Sequence, residues 1–586
     1  MFRHVPSAIA CGAVVLIAMI GCTATDSPRP ETAESSATSD SSVVLAVPAA
    51  ATRNVLAGPA SRASITMSAA LFDRSPVAVV FGRQSESGIE GTDASIAAAA
   101  SAAAALHVPL LVVGPDGAAL PEVTAELDRL GAGTVIGYGD PGADWAQIMG
   151  QRGLLAGPTS VPDVEAMLGL SVTPTPVTEA VLVPSVLSLG GDDNRLLAIT
   201  PDGAASEPST SAKASIQSTG PSTEEPGLMD LATTDELPDF QPADRASDAL
   251  VLATSSSAPA SLATARAAGA AVELLTEADP RATGTTVEAV REHSDTAILA
   301  VGEAFGAEET FAQRVEVAAT GEQLPGGGQT VFPGRRMVAL YGHPSGPSLG
   351  ALGEQGIDET LARVKDLAAE YQPFSDEPVI PALDLITTVA SADAGADGDY
   401  SSETPIAELE PWIDAAEEQG VYVVLDLQSG GADFLSQAKL YEELLARPSV
   451  GLALDPEWRL APGQRPLQQI GTVDAAEINA TSSWLADLTR DRSLPQKLLM
   501  VHQFRIDMIS DRATLDVSRT ELAVTLHADG HGTPGQKLDT WYALQSVPPE
   551  GIWPSWKNFY DEDQPMLTPE QTYSMVEPKP WLVTYQ

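Results

Sequence analysis

Cysteine is almost absent from the 586 residues, and both examples, Cys11 and Cys22, fall within the first 22 positions. The body beyond them can therefore form no disulfide and no thiolate metal site. Basic residues are also few, with 32 Lys and Arg against 79 Asp and Glu and a net charge of −47. The acidic side chains are spread along the chain rather than gathered in a block. That balance favours solubility and excludes the basic footprint of a nucleic-acid binder. It also argues against simple electrostatic capture of an anionic polymer. Long apolar runs are missing too: the one near the start, from Ala8 to Ile20, is broken by Cys11 and Gly12 and is short for a membrane span. No phosphate-binding glycine loop and no nucleophile elbow occurs, and the sequence points to no cofactor and no metal ion. Apolar residues are plentiful, at 44% against 19% charged. A chain of this length can bury a large core and is expected to form more than one domain.

The first residues combine a basic start, Arg3 and His4, with a short apolar middle and a small residue at Gly21. That order is a signal peptide. Ile20-Gly21-Cys22 resembles the bacterial lipobox, which implies that Cys22 is acylated and becomes the N-terminus of an exported lipoprotein on the outer face of the cell membrane. The alternative is an ordinary cleaved signal with an incidental cysteine. Residues 23–62 are rich in Ser, Thr, Ala, Pro and Glu and are expected to form a disordered spacer. A second polar stretch, 201–243, reads as an internal linker, and Gly326-Gly327-Gly328 as a third break.

Between these breaks an α/β pattern predicts parallel sheet. In the segment 63–200, strands are expected at Val77–Phe81, Val108–Val113 and Thr134–Tyr138, with helices at Ala94–Leu106 and Pro121–Leu130. In 244–330 the order recurs: strand Ala249–Thr254, helix Ala258–Ala268, strand Ala271–Leu275, helix Thr285–Glu292, strand Thr296–Val301. A repeated unit of this kind is an organisational signal. Pro109-Leu110-Leu111-Val112, Leu120-Pro121 with Val123, and Leu127-Asp128-Arg129-Leu130-Gly131 resemble the cell-wall-binding repeat 2 family of Gram-positive surface proteins, here in two degenerate copies of Rossmann-like form. The resemblance implies a cell-wall polysaccharide or peptidoglycan partner.

From residue 331 the texture changes. Eight apolar strands alternate with helices over about 250 residues, which fits a (β/α)8 barrel. The strands are expected at Met337–Tyr341, Val379–Val389, Val421–Asp426, Val450–Asp455, Lys497–His502, Leu522–His527, Trp553–Trp556 and Trp581–Tyr585. Helices are expected at Ile357–Tyr371, Ile406–Glu418, Phe434–Leu445, Asp474–Asp491 and Gly535–Ala543.

Catalytic groups of such barrels lie at the C-terminal ends of the strands. Here those ends carry His343, Asp426, Asp455-Pro456-Glu457-Trp458, His502-Gln503, and His527 followed by Asp529. Asp455 and Glu457 are two apart, so an extended backbone would turn both carboxyls to one side. Paired carboxylates of unequal acidity are what glycoside hydrolysis uses. The expected roles are Glu457 as general acid and Asp455 as a stabilising or orienting partner. Asp426, His343, His502, Gln503, His527 and Asp529 would line the pocket, and Trp458 would form a wall for a sugar ring. The competing reading makes Asp455 a helix cap with Pro456 in the first turn. Asp-x-Glu at the end of a fourth barrel strand resembles the chitinase-like and muramidase-like glycoside hydrolases, which implies glycan hydrolysis; a non-catalytic glycan-binding or scaffold protein is the alternative. His527, Asp529 and His531 alternate, and His and Asp are zinc-ligand types, although Gly530 and Gly532 suggest a turn that scatters them. Trp553, Trp556, Phe559 and Tyr560 could form either a sugar platform or barrel-closing core.

Overall fold

A computed structural model of the chain describes residues 41–82, 94–114, 119–139, 147–148, 150–190, 194–199, 236–546 and 549–586. Cys22 and most of the 201–243 stretch lie outside them. The N-terminal part is built from β1 (Arg53–Leu56), β2 (Val77–Gly82), β3 (Leu110–Val113), β4 (Thr134–Gly139), β5 (Gly153–Ala156), β6 (Thr173–Val177), β7 (Arg195–Ile199), β8 (Leu250–Thr254), β9 (Ala271–Leu275) and β10 (Ile298–Val301). Two four-stranded parallel sheets form, in the orders β3-β2-β4-β5 and β9-β8-β10-β1. The strands are continuous Val, Leu, Ile and Ala runs because parallel sheets are covered on both faces.

The two sheets share one strand order, but the last strand of the second, β1, comes from before the first. Val55 and Leu56 are buried there, paired with Ala300 and Val301. The expected spacer 23–62 is corrected accordingly: its last ten residues hold a core strand. Arg53 anchors it by donating to the carbonyls of Ser294 and Thr296.

Helices α1 (Ala94–Leu106) and α2 (Pro259–Ala267) pack on each other between the sheets. Their faces are alanine, with Ala97, Ala100, Ala103, Ala263 and Ala265 fully buried. A helix apolar all round is a buried helix, and small side chains bring the backbones close. Thr264 on α2 spans the junction, its hydroxyl bonding both the N–H and the carbonyl of Leu110 at 3.0 and 3.1 Å.

The C-terminal part is a closed barrel of eight parallel strands: β11 (Arg336–Gly342), β12 (Val379–Ala390), β13 (Tyr422–Leu427), β14 (Val450–Leu454), β15 (Lys497–Gln503), β16 (Leu522–Ala528), β17 (Trp553–Asn558) and β18 (Leu582–Tyr585), with β18 pairing back to β11. Helices Ile357–Tyr371, Ile406–Glu418 and Ala475–Asp491 fall where expected; Phe434–Leu445 is broken at Tyr441, and Pro569–Met575 is an added helix before β18.

The period of two along each strand sorts the barrel interior by height. Its lower layers are Met337 and Ala339, Ile380 and Ala382, Tyr422 and Val424, Ala453, Leu498 and Met500, Ala523 and Leu582, all buried. Gly451 makes room for the Tyr422 ring: a Cβ there would meet the Tyr422 hydroxyl at 3.0 Å and the Leu498 carbonyl at 2.7 Å. Below these layers Phe332, Trp553 and Trp581 plug the N-terminal end with ring centroids 4.9 to 5.7 Å apart. Gly326, Gly327 and Gly328, all at positive φ, turn the chain into that plug. Continuing upward by two on the same face, the side chains become Tyr341, Asp384, Asp426, Asp455, His502, His527, Lys557 and Thr584. Among the described residues no helix is long and apolar enough to cross a membrane.

Candidate functional site

The upper layer opens into a cavity of about 580 Å³ at the C-terminal mouth of the barrel. Asp455, Glu457, Trp458 and Asp529 line it, together with Tyr341, Gln428, Phe504, His531, Lys557 and Phe559. Four of the residues expected from the sequence thus meet in one place.

Asp455 is 2% exposed, and its carboxylate accepts the N–H of Glu457 at 3.1 Å as cap of the 3-10 turn Pro456–Trp458. The cap reading is the one seen. The backbone turns after Asp455, so the extended-strand argument for two parallel carboxyls does not hold. Burial raises the Asp455 carboxyl well above the usual carboxylate range, with Asp426 and Glu457 adding to the shift. Glu457, carried past the strand end, is half-buried in the wall of the cavity. Burial raises it, and the neighbouring Asp529 carboxylate raises it further.

Asp529 behaves in the opposite way. Burial alone would raise it, but Lys557 and His502 reverse the effect and hold it far below the normal range. Lys557 Nζ stands 3.2 Å from Asp529 Oδ1 and 3.5 Å from the Tyr341 ring centroid, a cation–π seat. His502 Nδ1 meets Asp529 Oδ2 at 2.8 Å. Burial would lower His502, yet Asp426 and Asp529 push it up to about 10.

Beneath the cavity lie Asp384, Asp426 and His502, all 0% exposed. Burial and the nearby Asp426 push Asp384 up to about 8; burial likewise raises Asp426. His527 is also below the cavity, bonded to Ser555 Oγ at 3.0 Å and Thr584 Oγ1 at 2.8 Å.

Five of the expected pocket residues lie outside the cavity lining. Gln503 faces away, its amide donating to the carbonyls of Arg505 and Ile506 at 3.0 and 3.2 Å. It follows His502 on the strand, and the alternation sends it to the opposite side. His343 binds Ser345 Oγ at 2.8 Å and Thr404 Oγ1 at 2.9 Å and ties two loops together outside the cavity. Asp426, His502 and His527 do not line the cavity but support it from below. His527, Asp529 and His531 form no common ligand set: only the last two reach the cavity. The aromatic cluster divides: Trp553 belongs to the plug, Trp556 packs outside the barrel on Trp541 at 5.7 Å, Phe559 lines the cavity, and Tyr560 lies beside Tyr585 and Arg363.

Sequence reasoning did not single out Asp384 or Lys557. The signal for Asp384 is one acid inside the apolar run Val379–Val389, in phase with the inward residues Ile380 and Ala382. The signal for Lys557 is its position two after Ser555 on the weakly apolar β17.

No protein-family model matches the chain, and no curated protein matches it. Among solved structures, Cwp6 from Clostridium difficile is 12% identical, over 65% of this chain and 63% of its own, with a TM-score of 0.28. The chain thus spans under two thirds of that protein's length, and a TM-score so low implies neither fold nor function here.

Proposed function

We propose that the protein is an exported, lipid-anchored cell-envelope protein whose barrel hydrolyses a wall or extracellular glycan. The observation that carries the reading is the placement of Glu457 and Asp529 on one cavity with Trp458, Phe504 and Phe559 in its wall. Glu457 is the general acid: its half-buried carboxyl keeps a proton to give to the leaving oxygen. Asp529, held ionised by Lys557, faces the positive charge that develops on the sugar ring. Asp455, at the floor of the cavity, acts chiefly by fixing the Glu457 backbone through its cap. Aromatic side chains supply flat apolar faces for sugar rings, and a cavity of this size suits one or two of them. The anchor is Cys22, behind the signal-like first residues. The N-terminal α/β units hold the barrel near its polymer.

The test is turnover of peptidoglycan, chitin-type and α-glucan oligosaccharides by the purified chain, with release of reducing ends as readout. Glu457→Gln should abolish release. Glycan retention without release would instead favour the binding or scaffold protein. Release undiminished in Glu457→Gln would refute the assignment of the acid.

A further inference from the structure

We infer that Asp384, Asp426 and His502 hold a resident divalent transition-metal ion, zinc or manganese, beneath the cavity. One oxygen of each carboxylate and one ring nitrogen lie within 4.8 Å of one another. All three residues are 0% exposed. Neither oxygen of Asp384 has a hydrogen-bond donor, and His502 Nε2 makes no hydrogen bond. Asp426 has no donor in ordinary geometry and leans only on His502 and the Tyr341 hydroxyl. Bare buried carboxylates are costly, and buried charges are paired or coordinate metals.

The surroundings fit a ligand shell. Metal-bound histidine characteristically gives its other ring N–H to a carboxylate, which fixes the tautomer and aims the free nitrogen at the ion. Here Nδ1 is held by Asp529 at 2.8 Å, and Nε2 faces Asp426. Donors bonded to one ion at about 2.1 Å stand about 3.4 Å apart in a tetrahedron, and His502 Nε2 and Asp426 Oδ2 are already 3.4 Å apart. An Asp384 carboxylate oxygen, within 4.8 Å of both, completes the set. Mixed nitrogen and oxygen donors suit zinc and manganese rather than calcium. Charge balances as well: a divalent ion beside neutral His502, together with Lys557, offsets the carboxylates of Asp384, Asp426 and Asp529. The ion is closed off from solvent and acts on the cavity by fixing His502, and through it Asp529.

Metal content is counted with no substrate present, so the result is independent of glycan hydrolysis. The full-length chain is stripped with EDTA and titrated with zinc chloride, and separately with manganese chloride, by calorimetry. One ion per chain is expected, with affinity at least about 100-fold weaker in Asp384→Asn. It should be unchanged in Asp397→Asn, which alters the exposed acidic group Asp397, Asp399 and Glu403. If Asp384→Asn does not fold, X-ray absorption on the zinc-loaded wild type decides: one imidazole nitrogen in the shell is expected. No bound ion of either kind, binding that survives in folded Asp384→Asn, or an all-oxygen shell would overturn the inference.

Discussion

Asp455 and Glu457 are two residues apart yet have different work. Asp455 spends one carboxylate oxygen on the Glu457 amide and is buried at the cavity floor, whereas Glu457 is half-buried in the cavity wall. The two substitutions at Asp455 should therefore part company. Asp455→Asn keeps an oxygen to cap the turn and should retain most of the stability and turnover. Asp455→Ala loses the cap, about 1 kcal/mol, and lets Glu457 drift, lowering kcat more than it raises KM. Thermal melting and steady-state kinetics on both variants check this; an Asp455→Asn enzyme as dead as Glu457→Gln would make Asp455 a direct participant. The same scale explains what the sequence left unread. An acid buried in an apolar strand, like Asp384, or a lysine on a weak strand, like Lys557, gains meaning only when the barrel closes and brings four strands' side chains to one height.

Among the elements, long apolar and alternating segments were legible and short partners were not. Helices Ala94–Leu106, Ile357–Tyr371 and Ile406–Glu418 carry their own periodicity or an unbroken alanine run, and their observed limits coincide with the expected ones. All eight barrel strands were legible, the seventh least, because they are apolar runs set between helical segments. β1 was hidden: Arg53-Asn54-Val55-Leu56 is four residues long with two of them polar, lies between Ala- and Pro-containing turns, and becomes a strand only through pairing with β10. β5, β6 and β7 were unread for a like reason, being short, with Gly or Pro in two of the three. The alanine helices offer a test at this scale. Ala100 and Ala263 are fully buried in the neighbourhood of the α1–α2 contact. Leucine at Ala263 has no space to enter and should destabilise by about 1–3 kcal/mol through overpacking, read as a fall in the urea midpoint at constant slope. An unchanged midpoint would mean that the helices do not pack closely.

At the scale of the whole molecule, the described residues form an α/β body and a barrel whose polar mouth is opposite its aromatic plug. The proposed lipid tether at Cys22 is testable in cells. Cys22→Ser should move the protein from the membrane fraction to the soluble exported fraction and abolish labelling by a fatty-acid analogue; unchanged fractionation would remove the lipid anchor from the proposal. The barrel's sequence was informative because its polar residues cluster at strand ends, whereas the depth of each group, cavity wall or buried layer, is a property of the closed sheet.

The most direct measurement is the pH profile of glycan turnover by the wild type beside the activity of Glu457→Gln. Burial and Asp529 raise Glu457, so its proton persists above the ordinary glutamic-acid value of about 4.3 and the alkaline limb should lie higher than that. Glu457→Gln should lose roughly 10²–10⁴-fold in kcat, and with it that limb. Reducing-end release that persists at wild-type rate in Glu457→Gln, with the same alkaline limb, would contradict the central claim.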